Sequence, residues 1–197
     1  HNGGFLGRID GNGNPIPTAE KGAVLNARIL WAFAAAYRVL HKSEYLEGAI
    51  RAKDYFISHF IDKQEGGVFW SLDAKGNILD SKKQTYAIGF AIYGLSEFAR
   101  ATGDEECLMY AKQLYNDIEQ HAFDSINNGY VEALTRNWQP IADMRLSDKD
   151  ENGSRTMNTH LHILEPYTNL YRVWKSPELA ERIKNLISIF LQRLYNP

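Results

Sequence analysis

A chain of 197 residues, 44% apolar and 23% charged, has room for one domain or slightly more and the make-up of a soluble globular protein. Its formal net charge of −2 offers no basic surface for nucleic acid, and no block of like charges forms an interaction tail. The single cysteine, Cys107, excludes an internal disulfide and a cysteine-based zinc site; it sits in an apolar helical pattern as a core thiol would, and a reducing, cytoplasmic setting is the default expectation. Aromatics reach 12%, which suits sugar stacking and a helical core equally well. The chain opens on His1-Asn2-Gly3-Gly4 without Met, so a processed or truncated start is expected, and no signal peptide is recognisable.

In chain order, the first predicted element is a hairpin, GGFLGRIDGNGNPI from Gly3, whose Asp10-Gly11-Asn12-Gly13 supplies residues that tolerate positive φ. Two helices follow over 23–40 and 44–60, their apolar positions recurring at three and four residues. The longest apolar run, 29–37, is too short to cross a bilayer. The hairpin returns as GGVFWSLDAKGNIL from Gly66, followed by helices over 84–101 and 105–123. It returns again as NGYVEALTRNWQPI from Asn128, followed by helices over 157–174 and 177–195. The second glycines, Gly4, Gly67 and Gly129, are 63 and 62 residues apart. The links inside the pairs repeat too, with Ser43, Asp104 and Ser176-Pro177 read as N-caps. Such short links force antiparallel neighbours.

The two helices of each pair differ in kind. First helices are apolar almost all round, as in ILWAFAAAY and AIGFAIYGL. Second helices are amphipathic, as in EGAIRAKDYFISHF and AERIKNLISIFLQRL. A helix apolar on all sides is buried on all sides, so first helices form an inner layer and second helices an outer one. A ring of such pairs is an α/α toroid, and three pairs close half of it. The exposed edges predict either a missing second half or self-association.

Polar residues on the inner helices do not belong in a core. Aligning the repeats by their links places Arg28, Gly89 and His162 at one level and face, with Tyr86 and Asn158 one turn above. Arg28, Tyr86, Asn158 and His162 are therefore expected to converge at the end of the toroid rimmed by the hairpins. Arginine is costly to bury unpaired, which favours a functional Arg28 over a packing one. Glu165, one turn below His162, either orients its ring or packs between helices. Trp70, Glu132, Arg136 and Trp138 either line the mouth or pack in the hairpins. His160 reads as structural, and the matching Asp10 and Asp73 as turn formers. His160 and His162 lack the spacing of a helical zinc pair, so no metal site is expected, and no phosphate loop, nucleophile triad or carboxylate pair stands out.

The segments NARILWAFAAAY with Arg28, QTYAIGFAIYGLSEFARATGD with Tyr86, and TMNTHLHILEPYTNLYRVW with Asn158 and His162 resemble the N-acylglucosamine 2-epimerase family. The resemblance, which runs over essentially the whole chain, is greatest to its cellobiose-acting members. It implies an all-α (α/α)6 barrel with short β-hairpins between helix pairs, of which residues 1–197 are the N-terminal half of a single domain. It further implies cofactor-free epimerisation at C2 of the reducing-end glucose of a β-1,4-linked disaccharide such as cellobiose or lactose. N-acylglucosamine epimerisation, mannose isomerisation and a non-catalytic sugar-binding role are the alternatives. The implied catalytic residues are Arg28 and His162; Tyr86, Asn158, Trp70 and Glu165 would bind the sugar. A small-molecule sugar is the only partner expected beyond the missing half or a second copy; neither nucleic acid nor membrane is. The resemblance places the family's principal histidine pair and its stacking tryptophans in a second half, and a first outer helix before His1. The chain alone is therefore expected to be inactive.

Overall fold

The computed structural model describes residues 3–194. A two-residue strand β1 (Lys21–Gly22) leads into α1 (Ala23–Leu40), which turns back as α2 (Ser43–Tyr55). Strands β2 (Ser71–Leu72), β3 (Ile78–Asp80) and β4 (Lys83–Gln84) precede the second pair, α3 (Thr85–Thr102) and α4 (Glu105–His121). Strands β5 (Phe123–Asp124), β6 (Gly129–Tyr130) and β7 (Ala133–Leu134) precede the third, α5 (Met157–Val173) and α6 (Pro177–Ile189). The periodicity thus located all six helices.

Their ends carry the corrections. The last turn after α2 widens to a π-helical turn, Phe56–Phe60, where the Phe56 and Phe60 rings stack at 5.1 Å. A second such turn, Phe190–Leu194, follows α6, and the expected end at Tyr195 lies outside the described residues, as do His1 and Asn2. Asp104, Thr156 and Ser176 cap α4, α5 and α6, their side chains accepting the N–H groups of Cys107, Thr159 and Leu179. Ser43 does not cap α2. The left-handed His41 (φ 55°) and extended Lys42 turn the chain so tightly that Ser43 is already helical.

The inner layer is α1–α3–α5 with α3 central, and α2, α4 and α6 back it. Of α3, Ala87, Ile88, Ala91, Ile92 and Leu95 are wholly or almost wholly buried. Two glycines let its neighbours approach. A methyl on Gly94 would stand 2.8 Å from the Ala27 carbonyl oxygen of α1, and one on Gly89 only 2.3 Å from the His162 carbonyl oxygen of α5. Asn169 of α5 and Ser96 of α3 share a buried hydrogen bond across the second seam. Cys107 is fully buried in the core, and burial pushes its thiol up. By length and composition α1 is apolar enough to cross a membrane, but it carries Arg28 and Arg38 and packs as an inner helix against α2 and α3.

The hairpins are shorter than the sequence suggests, and they pair across units. The first is reduced to one bridge, Ile9 to Pro15. β2 pairs with β3 inside the second hairpin, but it also pairs with β1, the entry strand of the preceding inner helix. In the same way β7 of the third hairpin pairs with β4, the entry strand of α3. The turns repeat atom for atom. Asp10 accepts the backbone N–H groups of Asn12 and Asn14, and Asp73 those of Lys75 and Asn77. Three residues on, Gly13 (φ 85°) and Gly76 (φ 96°) are left-handed; in the third copy that position is held by Trp138 (φ 63°).

Candidate functional site

The inner helices present one continuous cluster near their hairpin ends. The Arg28 guanidinium of α1 lies over the Phe90 ring of α3, 4.5 Å from its centroid. Phe90 packs against the His162 imidazole of α5 at 4.9 Å, and Tyr86 meets the same imidazole edge-on at 4.9 Å. Tyr86 and Phe90, one helical turn apart, touch each other at 5.0 Å. The Glu165 carboxylate completes the group, 2.7 Å from His162 Nδ1. Three helices thus deliver Arg28, Tyr86, Phe90, His162 and Glu165 to one place.

The electrostatics leave several groups uncommitted. Arg28 is exposed and, among the described residues, has neither a hydrogen bond nor an ion pair. Glu165 accepts from Nδ1–H, which in the neutral ring leaves the lone pair on Nε2; that nitrogen has no partner among the described residues. Burial pushes the Tyr86 phenol up, the Arg28 charge pulls it back and Glu165 adds to the rise, so Tyr86 stays a protonated donor. The cluster therefore offers a base, a cation, a phenolic donor and an orienting carboxylate. Among the described residues, no group of three His, Cys, Asp or Glu side chains is placed to hold a metal ion.

Not every expected residue joins the cluster. Asn158 is exposed at the start of α5 and lines a separate cavity of about 160 Å³ with Glu132, Met144 and Arg145. Trp70 sits at the entry of α1, its carbonyl accepting the Ala23 N–H and its ring under the Lys82 ammonium at 5.3 Å. Among the described residues, no hydrogen bond or ring contact joins either of them to Arg28, Tyr86 or His162. Gly89 does not face the cavity. It lies in the α3–α5 seam, and the next residue, Phe90, fills the space between Arg28 and His162. Glu132 is buried, accepting from Thr156 N–H (2.6 Å) and the Thr159 hydroxyl (2.5 Å) at the start of α5. Arg136 pairs with Asp62, and Trp138 donates to the Glu65 carbonyl and stacks on His121, so both pack the hairpins. His160 is structural: Nδ1–H donates to the Thr156 carbonyl and Nε2 accepts the Tyr130 N–H. Phe90 is apolar and reads as core in the sequence; its spacing of four from Tyr86 is the signal that puts the two rings on one face.

Residues 4–197 match the family model of N-acylglucosamine 2-epimerase. The chain belongs to that family. It is 64% identical over 193 residues to a cellobiose 2-epimerase of Bacteroides fragilis, a match covering 98% of this chain and 49% of the relative. It is 38% identical to a cellobiose 2-epimerase of Ruminococcus albus, over all of this chain and 50% of that protein. The solved cellobiose 2-epimerase of Bacillus thermoamylovorans superposes with a TM-score of 0.95 at 43% identity, covering 99% of this chain and 50% of that one. The chain thus spans about half the length of the relatives it matches. Its three helix pairs are those of an α/α barrel.

Proposed function

We propose that residues 1–197 form the N-terminal half of a single (α/α)6-barrel domain that epimerises C2 of the reducing-end glucose of a β-1,4-linked disaccharide such as cellobiose or lactose. The observation that carries this reading is the unpaired Arg28 guanidinium on one side of Phe90 and, packed against the same ring, His162, whose Nδ1 is anchored on Glu165 and whose Nε2 has no partner among the described residues. The cellobiose 2-epimerase name shared by the relatives from Bacteroides fragilis and Ruminococcus albus supports the substrate class.

The chemistry follows from the substrate. In the ring-opened sugar, C2–H lies α to the C1 aldehyde. Its removal by a base leaves an enediolate, and return of a proton to the opposite face inverts C2, with no net oxidation and no co-reactant. Histidine suits such proton transfers near neutral pH. His162 serves as a supporting acid/base or in opening the ring, with Glu165 fixing its orientation. Arg28 donates to the developing enediolate oxygen. Tyr86 holds a hydroxyl of the reacting sugar unit, and Asn158 and Trp70, which stand outside the cluster, contact the disaccharide away from the reacting C2. In this reading the principal acid/base histidines lie in the other half of the barrel, and the 197 residues alone are inactive.

The test uses the full-length protein with cellobiose, following glucosylmannose by chromatography and C2 deuteration in heavy water. Arg28→Ala and His162→Ala are each expected to lower kcat by about 10²-fold or more with the circular dichroism unchanged. Wild-type turnover in both variants would remove them from the site. The family model carries the name of N-acylglucosamine 2-epimerase, which supports a second reading; N-acetylglucosamine and mannose as substrates in the same assay separate the alternatives.

A further inference from the structure

The α3–α5 seam contains two local irregularities that meet at one atom, the His162 carbonyl oxygen. Pro166 lies inside α5, four residues after His162. It has no N–H, so the helical hydrogen bond that would end on the His162 carbonyl cannot form, and its ring crowds that carbonyl away from the helix. On the facing helix, residue 89 is glycine. A Cβ there would stand 2.3 Å from the His162 oxygen and 3.6 Å from Pro166 Cγ. The first distance is far inside contact, and the obstacle is backbone rather than the end of a flexible side chain. The expelled carbonyl is thus received where α3 has no side chain, with Gly89 Cα–H beside it as a weak donor.

We infer that Gly89 and Pro166 are a coupled positioning pair for His162. The inference rests on the proposed role of His162, because the displaced carbonyl belongs to that same residue. The peptide that Pro166 turns outward carries the Cα from which the imidazole reaches Phe90, Tyr86 and Glu165, and the depth at which it seats is set by the absent side chain at 89. A methyl at 89 with Pro166 in place forces the carbonyl, and with it the imidazole, out of the cluster. With alanine at 166 the N–H returns, the carbonyl can rejoin its own helix, and the methyl is accommodated. Both act through the placement of His162 and are positioning residues.

The experiment measures kcat and KM for cellobiose, and the melting temperature, in the full-length protein for Gly89→Ala, Pro166→Ala and the double variant. Gly89→Ala is expected to lower kcat at least about 10-fold with KM changed less than 3-fold, assayed well below its melting temperature, because misplaced reacting groups cost rate steeply. The double variant is expected to recover kcat to within about 3-fold of wild type. A Gly89→Ala protein with wild-type kcat overturns the inference, as does a double variant no faster than Gly89→Ala. Should Gly89→Ala not fold, failure of Pro166→Ala to restore both folding and turnover overturns it equally. His162→Ala, measured beside them, separates the two levels: if it turns over normally, the proposed role of His162 fails; if it is inactive while Gly89→Ala is normal, only the coupling fails.

Discussion

At Asp62 one carboxylate holds two cations. Lys83 Nζ lies 2.9 Å away with both side chains buried, and Arg136 Nε reaches the same oxygen at 2.8 Å. Burial pushes the Asp62 carboxyl up, but the hydrogen bonds from Arg136 and Lys83 and the Lys83 charge outweigh it and hold the group well below the usual carboxylate range. A depressed carboxylate contributes stability that is complete above its unfolded value near pH 4 and is lost as pH falls below it. Asp62→Ala leaves Lys83 buried without its counter-charge and is expected to cost about 3–5 kcal/mol in urea titration, with much of the wild type's acid sensitivity below pH 4 removed. An unchanged midpoint would mean that Lys83 finds another partner. Lys83 was not legible as a buried residue, because a lysine before a helix reads as exposed until its partner 21 positions earlier is known. Arg28 stood out for the opposite reason, because it interrupts an apolar helix, and His162 because it falls at the equivalent position of the third inner helix with Asn158 one turn before it. Phe90 looks like core in any sequence, and only the structure shows it between the two.

At the scale of elements, the helices were legible to within a few residues because burial on a 3.6-residue period leaves a strong pattern. The strands were not, since pieces of two or three residues carry no alternation, and their cross-unit partners lie about 50 positions away. The same blindness hid the role of Glu132. Its carboxylate holds the first turn of α5, the helix that presents Asn158, His162 and Glu165. Glu132→Ala strands the buried Thr159 hydroxyl and the Thr156 N–H, and is expected to destabilise by about 1–3 kcal/mol. Amide hydrogen exchange should localise the loss to residues 156–160. Uniform loss across all helices, or none, would show that Glu132 does not secure that turn.

Over the whole molecule, the two flanks of the inner layer differ from its centre. α3 is enclosed, whereas Val39 on α1 is 62% exposed, Leu25 41%, and Met157 on α5 52%. Apolar side chains of this size along two open edges favour contact with another layer. The isolated 197-residue chain is expected to sediment above its 22.5 kDa monomer mass in a concentration-dependent way, and to convert no cellobiose. A monodisperse monomer would remove the first expectation, and measurable glucosylmannose the second. The pairing of β1 with β2 and of β4 with β7 has a consequence for anyone recombining such barrels. The stretch of chain that repeats and the stretch that hydrogen-bonds as one piece are out of phase by a hairpin. A graft cut at the repeat boundary, between α2 and the second hairpin, parts β1 from its partner. A graft cut after residue 80 carries that partner along. The portable module of this fold is a helix pair with the hairpin that follows it, and not with the hairpin that precedes it.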